Sequence, residues 1–199
     1  MTPERHPSEQ FDVVAVASSA GGVSALGVLL GALGPDLPVP IFVVQHLDPR
    51  HKTVLAQVLA RRTELDVKLA ETGERALAGT VYLAPPDRHL LVGDGGIVTL
   101  SSSELVHFLR PSADLLFESI AGAYGPRAIA CVLTGTGSDG SMGVEAVKTR
   151  GGTVIAEDPA TAEFTGMPKS AVSTGSVDFV LPLDEIAAVI RELVETERK

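Results

Sequence analysis

Short apolar runs alternate with longer amphipathic stretches along most of the chain, and this alternation constrains the fold more than any other feature. The runs at 13–17, 41–45 and 128–133 contain no charged residue. Strands in the middle of a parallel sheet have this composition because both of their faces are buried. The stretches at 22–33 and 183–196 place apolar residues every three or four positions, a period typical of helices that cover a sheet.

The order of these segments predicts an α/β protein with a doubly wound, mostly parallel sheet and helices on both faces. An antiparallel β-hairpin is expected as an addition, because apolar runs at 90–92 and 97–100 flank Gly-Asp-Gly-Gly. Residues 1–10 are polar and are expected to be a disordered N-terminal segment, and residues 11–199 to form one domain. Further strands are expected at 67–70, 81–84, 153–156 and 177–181, and further helices at 53–62, 112–124 and 140–149.

Composition excludes several classes of protein. The hydrophobic fraction is 45%, but no apolar run reaches the roughly 18 residues of a membrane span, so no membrane insertion is expected. A net charge of −9 argues against binding to nucleic acid, which needs clustered basic residues. Cys131 is the only cysteine, which indicates a reducing, cytoplasmic location, and the polar start carries no secretory signal. No residues have zinc-like spacing, so neither a metal nor a cofactor is expected.

Three polar residues each follow the end of an apolar run: Ser19, His46 and Asp139. Ligands of open α/β sheets bind beyond the carboxyl ends of the strands, where the strand order reverses. If the strand at 13–17 lies between the strands at 41–45 and 128–133, all three side chains converge on one crevice. A serine, an imidazole and a carboxylate in one crevice are the parts of a nucleophile, a general base and an orienting acid. The sequence therefore predicts a serine hydrolase.

The segment around Ser19 also allows other interpretations. Gly21 and Gly22 permit a sharp turn into a helix, whose N-terminal amides favour developing negative charge. Ser18 or Ser19 could instead simply cap that helix. A dinucleotide-binding turn is a third possibility, but the segment lacks Gly-x-Gly-x-x-Gly and the second strand ends in Gln-His instead of an acid.

The turn before Asp139 is rich in glycine and reads Leu-Thr-Gly-Thr-Gly-Ser-Asp-Gly at 133–140. Such a turn can form an anion-binding nest of amides, although no lysine follows in the spacing of a phosphate-binding loop. Asp139 could alternatively cap the next helix, and Asp114 and Asp158 are alternative acids. The histidines that compete with His46 lie in the N-terminal segment, at a helix start and beside the hairpin: His6, His51, His89 and His107.

Six motifs occur in order along the chain and identify a known family when taken together. They are Ser-Ala-Gly-Gly at 19–22, Gln-His at 45–46, Tyr-Leu-Ala-Pro-Pro-Asp at 82–87 with His89 following, Arg-Pro-Ser-Ala-Asp at 110–114, the 133–140 turn, and Gly-Met-Pro at 166–168. With these motifs the sequence resembles the catalytic domain of chemotaxis-receptor protein-glutamate methylesterases. The resemblance covers residues 11–195.

The resemblance implies a triad of Ser19, His46 and Asp139 that hydrolyses glutamyl γ-methyl esters on methylated chemotaxis receptors. It also implies a possible deamidation of receptor glutamines. Oxyanion stabilisation is expected from backbone amides at two places, the start of the first helix and the glycine-rich turn: Gly21, Gly22, Thr136 and Gly137. Arg110 is expected either to position the substrate or to form a surface ion pair.

Two departures from the family pattern affect this interpretation. The position after the nucleophile, often Thr in the family, is Ala20. No receiver domain precedes the catalytic segment in this sequence, so the expectation is either a stand-alone protein with different control, such as a separate regulatory partner, or a fragment. A non-catalytic interaction module of the same fold is the main alternative, and a nucleotide-binding protein is a weaker one.

Overall fold

The structure is a computed structural model that describes residues 11–48, 50 and 52–195. The strands are β1 (Val13–Ser18), β2 (Ile41–Gln45), β3 (Asp66–Leu69), β4 (Thr80–Leu83), β5 (His89–Val92), β6 (Val98–Ser101), β7 (Ala128–Val132), β8 (Thr153–Glu157) and β9 (Phe179–Leu181). The helices are α1 (Gly22–Leu33), α2 (Leu55–Ala60), α3 (Ala113–Tyr124), α4 (Ser141–Thr149), α5 (Gly166–Ser173) and α6 (Leu183–Glu195).

Seven of these strands form a sheet in the order β3-β4-β2-β1-β7-β8-β9. Every neighbouring pair in this sheet is parallel. β5 and β6 form a separate antiparallel pair. The predicted fold class is therefore confirmed. The chain leaves β1 on one side toward β2 and returns on the other side at β7, so β1 lies where the strand order reverses. The carboxyl ends of these three strands are adjacent, as the convergence of the predicted site requires.

The sheet separates two apolar layers, because alternate side chains of each strand point to opposite faces. Val14 and Val16 of β1 pack with α1, α2 and α6. Val13, Ala15 and Ala17 pack on the other face with α3, α4, α5 and the β5–β6 pair. All five of these side chains are fully buried, which explains why the run shows no alternation of polar and apolar residues.

The boundaries differ from the expected ones where side chains compete with backbone hydrogen bonds. Helix α2 starts at Leu55 instead of residue 53, because the hydroxyl of Thr53 accepts the Leu55 amide at 3.0 Å.

Helix α5 has no counterpart in the sequence prediction. Its third residue is Pro168, which is tolerated there because first-turn amides have no partner within the helix.

No helix in the described ranges combines the length and the apolar character needed to cross a membrane. The predictions for residues 1–10, His6 and His51 lie outside the described residues.

Candidate active site

Ser19 lies directly after β1, in the turn that leads into α1. Its amide donates to the carbonyl oxygen of Thr134 at 3.0 Å, and its own carbonyl accepts the amide of Gly22 at 2.8 Å. Gly21 has a φ of +73°, in the left-handed region that side-chain-bearing residues rarely adopt. The turn is therefore as sharp as the sequence predicts, and it places half-buried Ser19 at the N-terminus of α1.

Gln45 ties the ends of β1 and β2 together. Its Oε1 accepts the Ser18 hydroxyl at 2.6 Å, and its Nε2 donates to the carbonyl oxygens of Ser19 at 2.9 Å and His46 at 3.0 Å. A Cβ on Gly22 would lie 2.0 Å from Gln45 Oε1, so only glycine fits there. This buried amide fixes Ser19 relative to His46. Sequence analysis gave Gln45 no role, although a polar residue ending a buried strand was a signal for one.

His46 follows β2 and contacts Asp139 directly. The distance between His46 Nε2 and Asp139 Oδ2 is 2.7 Å, and Asp139 is 5% exposed. A carboxylate oxygen only accepts hydrogen bonds, so this contact assigns the proton to Nε2. Nδ1 is then left with the lone pair that can take a proton from a nucleophile.

Ser19 and His46 lie at neighbouring strand ends, since the amide of His46 donates to the carbonyl of Ser18 at 3.1 Å. In the described part of the chain, no hydrogen bond joins the Ser19 hydroxyl to the imidazole. Hydrogen bonds between nucleophile and base are often long in unliganded enzymes and tighten when substrate binds. The structure thus brings His46 and Asp139 into contact and places Ser19 beside them.

The carboxylate of Asp139 is held by the N-terminus of α3. Its Oδ2 also accepts the amide of Ala113 at 2.7 Å, and its Oδ1 accepts the amide of Asp114 and the hydroxyl of Ser112, both at 3.1 Å. Burial raises the pKa of Asp139, but the hydrogen bond from His46 and those from the two amides outweigh it, so the pKa is lowered. Asp139 is therefore ionised at neutral pH.

This contact also settles how Asp139 relates to helix capping. Asp139 does cap a helix, but it caps α3, which precedes it by some 20 residues, and not the following helix α4. Ser112 stands at the N-cap position of α3 as expected, yet its hydroxyl donates to Asp139 and makes no capping hydrogen bond. The alternative acid Asp114 lies at the second position of α3 and makes no hydrogen bond to His46.

Two buried residues behind Asp139, Ser112 and His89, have a supporting role that the sequence did not indicate. Ser112 contributes the hydroxyl described above and also an amide that donates to Nδ1 of His89 at 3.2 Å. His89 is fully buried, and its Nε2 donates to the carbonyl oxygen of Glu104 at 3.0 Å. Its place in the Tyr-Leu-Ala-Pro-Pro-Asp motif region was the available signal. His89 therefore supports the segment that holds Asp139 and does not compete with His46 as a base.

Of the backbone amides expected to bind an oxyanion, one is already hydrogen-bonded within the protein. The amide of Gly22 already donates to Ser19, so its expected role as a donor is corrected: glycine is needed there because a side chain would strike Gln45. The amides of Gly21, Thr136 and Gly137 donate to no described residue. Thr136 and Gly137 are exposed beside buried Asp139, where a bound substrate could accept from them.

Arg110 is engaged within the protein. Its guanidinium donates to Asp87 Oδ1 from Nε at 2.9 Å and to the carbonyl oxygens of Ser102 at 3.1 Å and Ser103 at 2.8 Å. This is the ion-pair alternative of the sequence analysis. Arg110 braces the loop between β6 and α3, and only two residues separate it from the first amide that binds Asp139.

The turn after Ser19 is held by a hydroxyl from the segment that follows β7. Thr134, which follows β7, donates from Oγ1 to the carbonyl oxygen of Ala20 at 3.1 Å and accepts the amide of Phe164 at 2.8 Å. Thr134 therefore ties the turn after Ser19 to the segment that follows β7.

Two concavities flank the crevice. A groove of about 260 Å³ next to His46 is mainly apolar and is lined by Val23, Leu47, Asp48, Lys52, Thr53, Val54, Leu55 and Val58. A cavity of about 350 Å³ beside Gly21 carries three acidic side chains, Glu157, Glu163 and Asp184. Among the described residues, no three His, Cys, Asp or Glu side chains are grouped so as to hold a metal ion.

Comparisons with known proteins agree on one family. The family described as CheB methylesterase matches residues 14–190. A protein from Anaeromyxobacter dehalogenans, named protein-glutamate methylesterase/protein-glutamine glutaminase 2, is 44% identical over 92% of this chain. A Leptospira interrogans protein named provisionally for the same activities is 37% identical over 92% of this chain. The crystal structure of the Thermotoga maritima CheB methylesterase catalytic domain is 41% identical, has a TM-score of 0.88, and covers 92% of this chain and 99% of that one.

The relatives differ in length. This chain covers 54% of the Anaeromyxobacter protein but 95% of the Leptospira protein. It therefore spans about half the length of some curated relatives and nearly the whole of others.

Proposed function

Since the chain belongs to the CheB methylesterase family, we propose that it hydrolyses glutamyl γ-methyl esters of a protein substrate by acyl transfer to Ser19. His46 serves as the general base, and Asp139 orients the imidazole and stabilises its protonated form. The observation that carries this proposal is the 2.7 Å contact between His46 Nε2 and an ionised carboxylate that α3 holds in place.

In the first half of the reaction, Ser19 Oγ attacks the ester carbonyl carbon while His46 Nδ1 takes the hydroxyl proton. The carbonyl oxygen becomes an oxyanion, which the unpaired amides of Gly21, Thr136 and Gly137 are available to bind. Each such donor is typically worth about 100- to 1,000-fold in rate. The bond from carbon to the methoxy oxygen then breaks, and methanol leaves with the proton from His46.

In the second half, His46 takes a proton from water, and the resulting hydroxide attacks the acyl-enzyme. The bond to Ser19 Oγ breaks, Oγ regains its proton, and a glutamate side chain is released. A glutamine side chain would follow the same course with ammonia as the leaving group, which would supply the second activity in the relatives' names.

The proposed substrate is a methylated chemotaxis receptor, in line with the resemblance and with the protein-glutamate substrates named for the relatives. The longer relatives carry about as much sequence again beyond the matched region, and we propose that a regulatory element acts on this catalytic domain, either in the same protein or as a separate partner. A cytoplasmic location is proposed from the single, fully buried cysteine.

The proposal is tested by methanol release from a methylated receptor fragment, with Ser19→Ala compared with wild type. We expect no detectable release by Ser19→Ala and an unchanged circular dichroism spectrum. Ser173→Ala is the matched control, because this exposed serine on α5 donates only to the Lys169 carbonyl. It should keep the wild-type rate.

A fluorophosphonate probe distinguishes the hydrolase from a non-catalytic interaction module. We expect it to label wild-type protein at Ser19, as located by peptide mapping, and to leave Ser19→Ala unlabelled. Methanol release by Ser19→Ala, or a wild-type protein that resists the probe, would refute the assignment.

A further inference from the structure

We propose that Asp114 is a positioning residue for this reaction: its carboxylate fixes the turn that carries Asp139, so that Asp139 stays aligned with His46. The inference rests on the proposed function, and it gives a role to a buried acid that makes no contact with the imidazole.

Asp114 and Asp139 hold each other through reciprocal hydrogen bonds. The amide of Asp114 donates to Asp139 Oδ1 at 3.1 Å. In the opposite direction, Oδ1 of Asp114 accepts the amide of Gly140 at 3.0 Å and the amide of Gly143 at 2.8 Å. Each aspartate thus binds the backbone of the segment that carries the other, and Gly140 is the immediate neighbour of Asp139. A shift of one segment must displace the carboxylate on the other.

In the described structure, the close packing of α3 against α4 leaves the amides of Gly140 and Gly143 no acceptor other than Asp114. Asp114 is 3% exposed, and α3 and α4 approach so closely that a Cβ on Gly143 would lie 2.6 Å from Phe117 Cβ and 3.1 Å from Asp114 Cα. Gly140 and Gly143 are buried as well, so bulk solvent does not reach their amides. A buried amide that loses its acceptor is costly, so the turn would move to find another one.

The arrangement also places two carboxylates side by side, which opposes stability. Burial, together with the charge of Asp139, raises the pKa of Asp114 to about 6 although two amides lower it. A neutral acceptor would bind the same two amides without this repulsion. Unfavourable charge placement of this kind is characteristic of functional sites.

A small displacement of Asp139 is enough to affect catalysis. Its Oδ2 must lie within hydrogen-bonding distance of His46 Nε2, now 2.7 Å, for the imidazole to keep its orientation. A misplacement of about 1 Å at a catalytic group can cost about 100-fold in rate. Among the described residues, Asp114 makes no hydrogen bond to the imidazole or to Ser19, so we expect its removal to act through Asp139.

The test compares three substitutions by the second-order rate at which a fluorophosphonate labels Ser19. This reaction needs the nucleophile and its base but no knowledge of the natural substrate. Asp114→Ala removes the acceptor and should slow labelling by about 10- to 100-fold. Asp114→Glu keeps the charge but moves the carboxylate by one methylene and should slow labelling about tenfold. Asp114→Asn keeps an acceptor oxygen in place and should recover the rate to within about fivefold of wild type.

A control removes an acid that accepts a backbone amide elsewhere in the fold. Asp178 is exposed, pairs with Lys148 near the end of α4, and accepts the amide of Val154 near the amino end of β8 at 2.9 Å, whereas Ser19 follows the carboxyl end of β1. Asp178→Ala should destabilise the fold and leave the labelling rate per folded molecule as in wild type.

For methylated receptor, Asp114→Ala and Asp114→Glu should lower kcat and leave KM as in wild type, because Asp114 is expected to touch no substrate. Wild-type labelling rates in Asp114→Ala and Asp114→Glu, with folding intact, would overturn the proposal. If Asp114→Ala does not fold, the other two variants still test the proposal. Faster labelling of Asp114→Asn than of Asp114→Glu supports it, and faster labelling of Asp114→Glu refutes it. A wild-type protein that the probe does not label contradicts the proposed function instead.

Discussion

Replacing Asp139 by asparagine tests the proposed chemistry most directly, because all four groups around this carboxylate are hydrogen-bond donors. An asparagine must turn its NH₂ group toward two of them. The least costly orientation points the NH₂ at Ser112, whose hydroxyl can rotate to accept, and keeps the oxygen on His46 and Ala113. The Asp114 amide then loses its acceptor, which destabilises the fold by about 1–3 kcal/mol.

The effect of Asp139→Asn on the reaction comes from the lost charge. The imidazolium forms in the transition state next to the carboxylate, with charge centres about 4 Å apart. At an effective dielectric constant of about 20, such a pair contributes about 4 kcal/mol, or about a thousandfold in rate. The serine-protease example of this substitution, a loss of about 10⁴ in kcat, is of similar size.

The assay is the rate of fluorophosphonate labelling at Ser19, with folding followed by circular dichroism. Asp158→Asn is the matched control, since this half-buried acid caps a turn by accepting the Ala160 amide at 2.8 Å. We expect it to change the rate by less than about twofold. A folded Asp139→Asn protein that loses less than about tenfold in rate would refute the electrostatic role of Asp139.

Three further predictions concern stability and reactivity. Gly22→Ala should destabilise the fold by about 1–3 kcal/mol in urea unfolding, because its Cβ would lie 2.0 Å from Gln45 Oε1; a variant as stable as wild type would contradict the tie between β1 and β2. The raised pKa of Asp114 means that the folded state binds this proton more tightly than the unfolded chain, so its contribution to stability falls as pH rises from about 4 to about 6. This component should be missing from the pH dependence of unfolding in Asp114→Asn. Burial, and the nearby charge of Glu157, raise the pKa of the Cys131 thiol, so Cys131 should react with a disulfide reagent only after unfolding, and fast reaction in the native protein would count against its burial.

Local patterns predicted the architecture well. The runs at 13–17 and 128–133 identified β1 and β7, because strands buried on both faces must be apolar throughout. Helix α5 was not predicted, because Gly166 and Pro168 are typical of turns. The helix depends on tertiary contacts, such as the hydrogen bond that the Met167 amide donates to the Gly135 carbonyl. The preference of a short segment is weak, and tertiary structure overrides it.

The candidate site was predictable only to the level of residue types and strand ends. Nothing local in the sequence connects Gln45 with the Ser19 carbonyl, or Asp114 with the Gly140 amide, because each contact joins residues 26 positions apart. The same limit applies to Arg110, whose ion pair with Asp87, 23 positions away, no local pattern indicates.

The sequence by itself determined the parallel α/β architecture and the placement of Ser19, His46 and Asp139 after strands, because burial and turn chemistry act over a few residues. Only the tertiary structure decided that Asp139 caps α3, that the Gly22 amide is used internally, and that Asp114 clasps the turn before α4. Buried polar groups must find partners wherever packing brings them. Those partners depend on how α3 and α4 pack against each other on one face of the sheet, which no local pattern encodes.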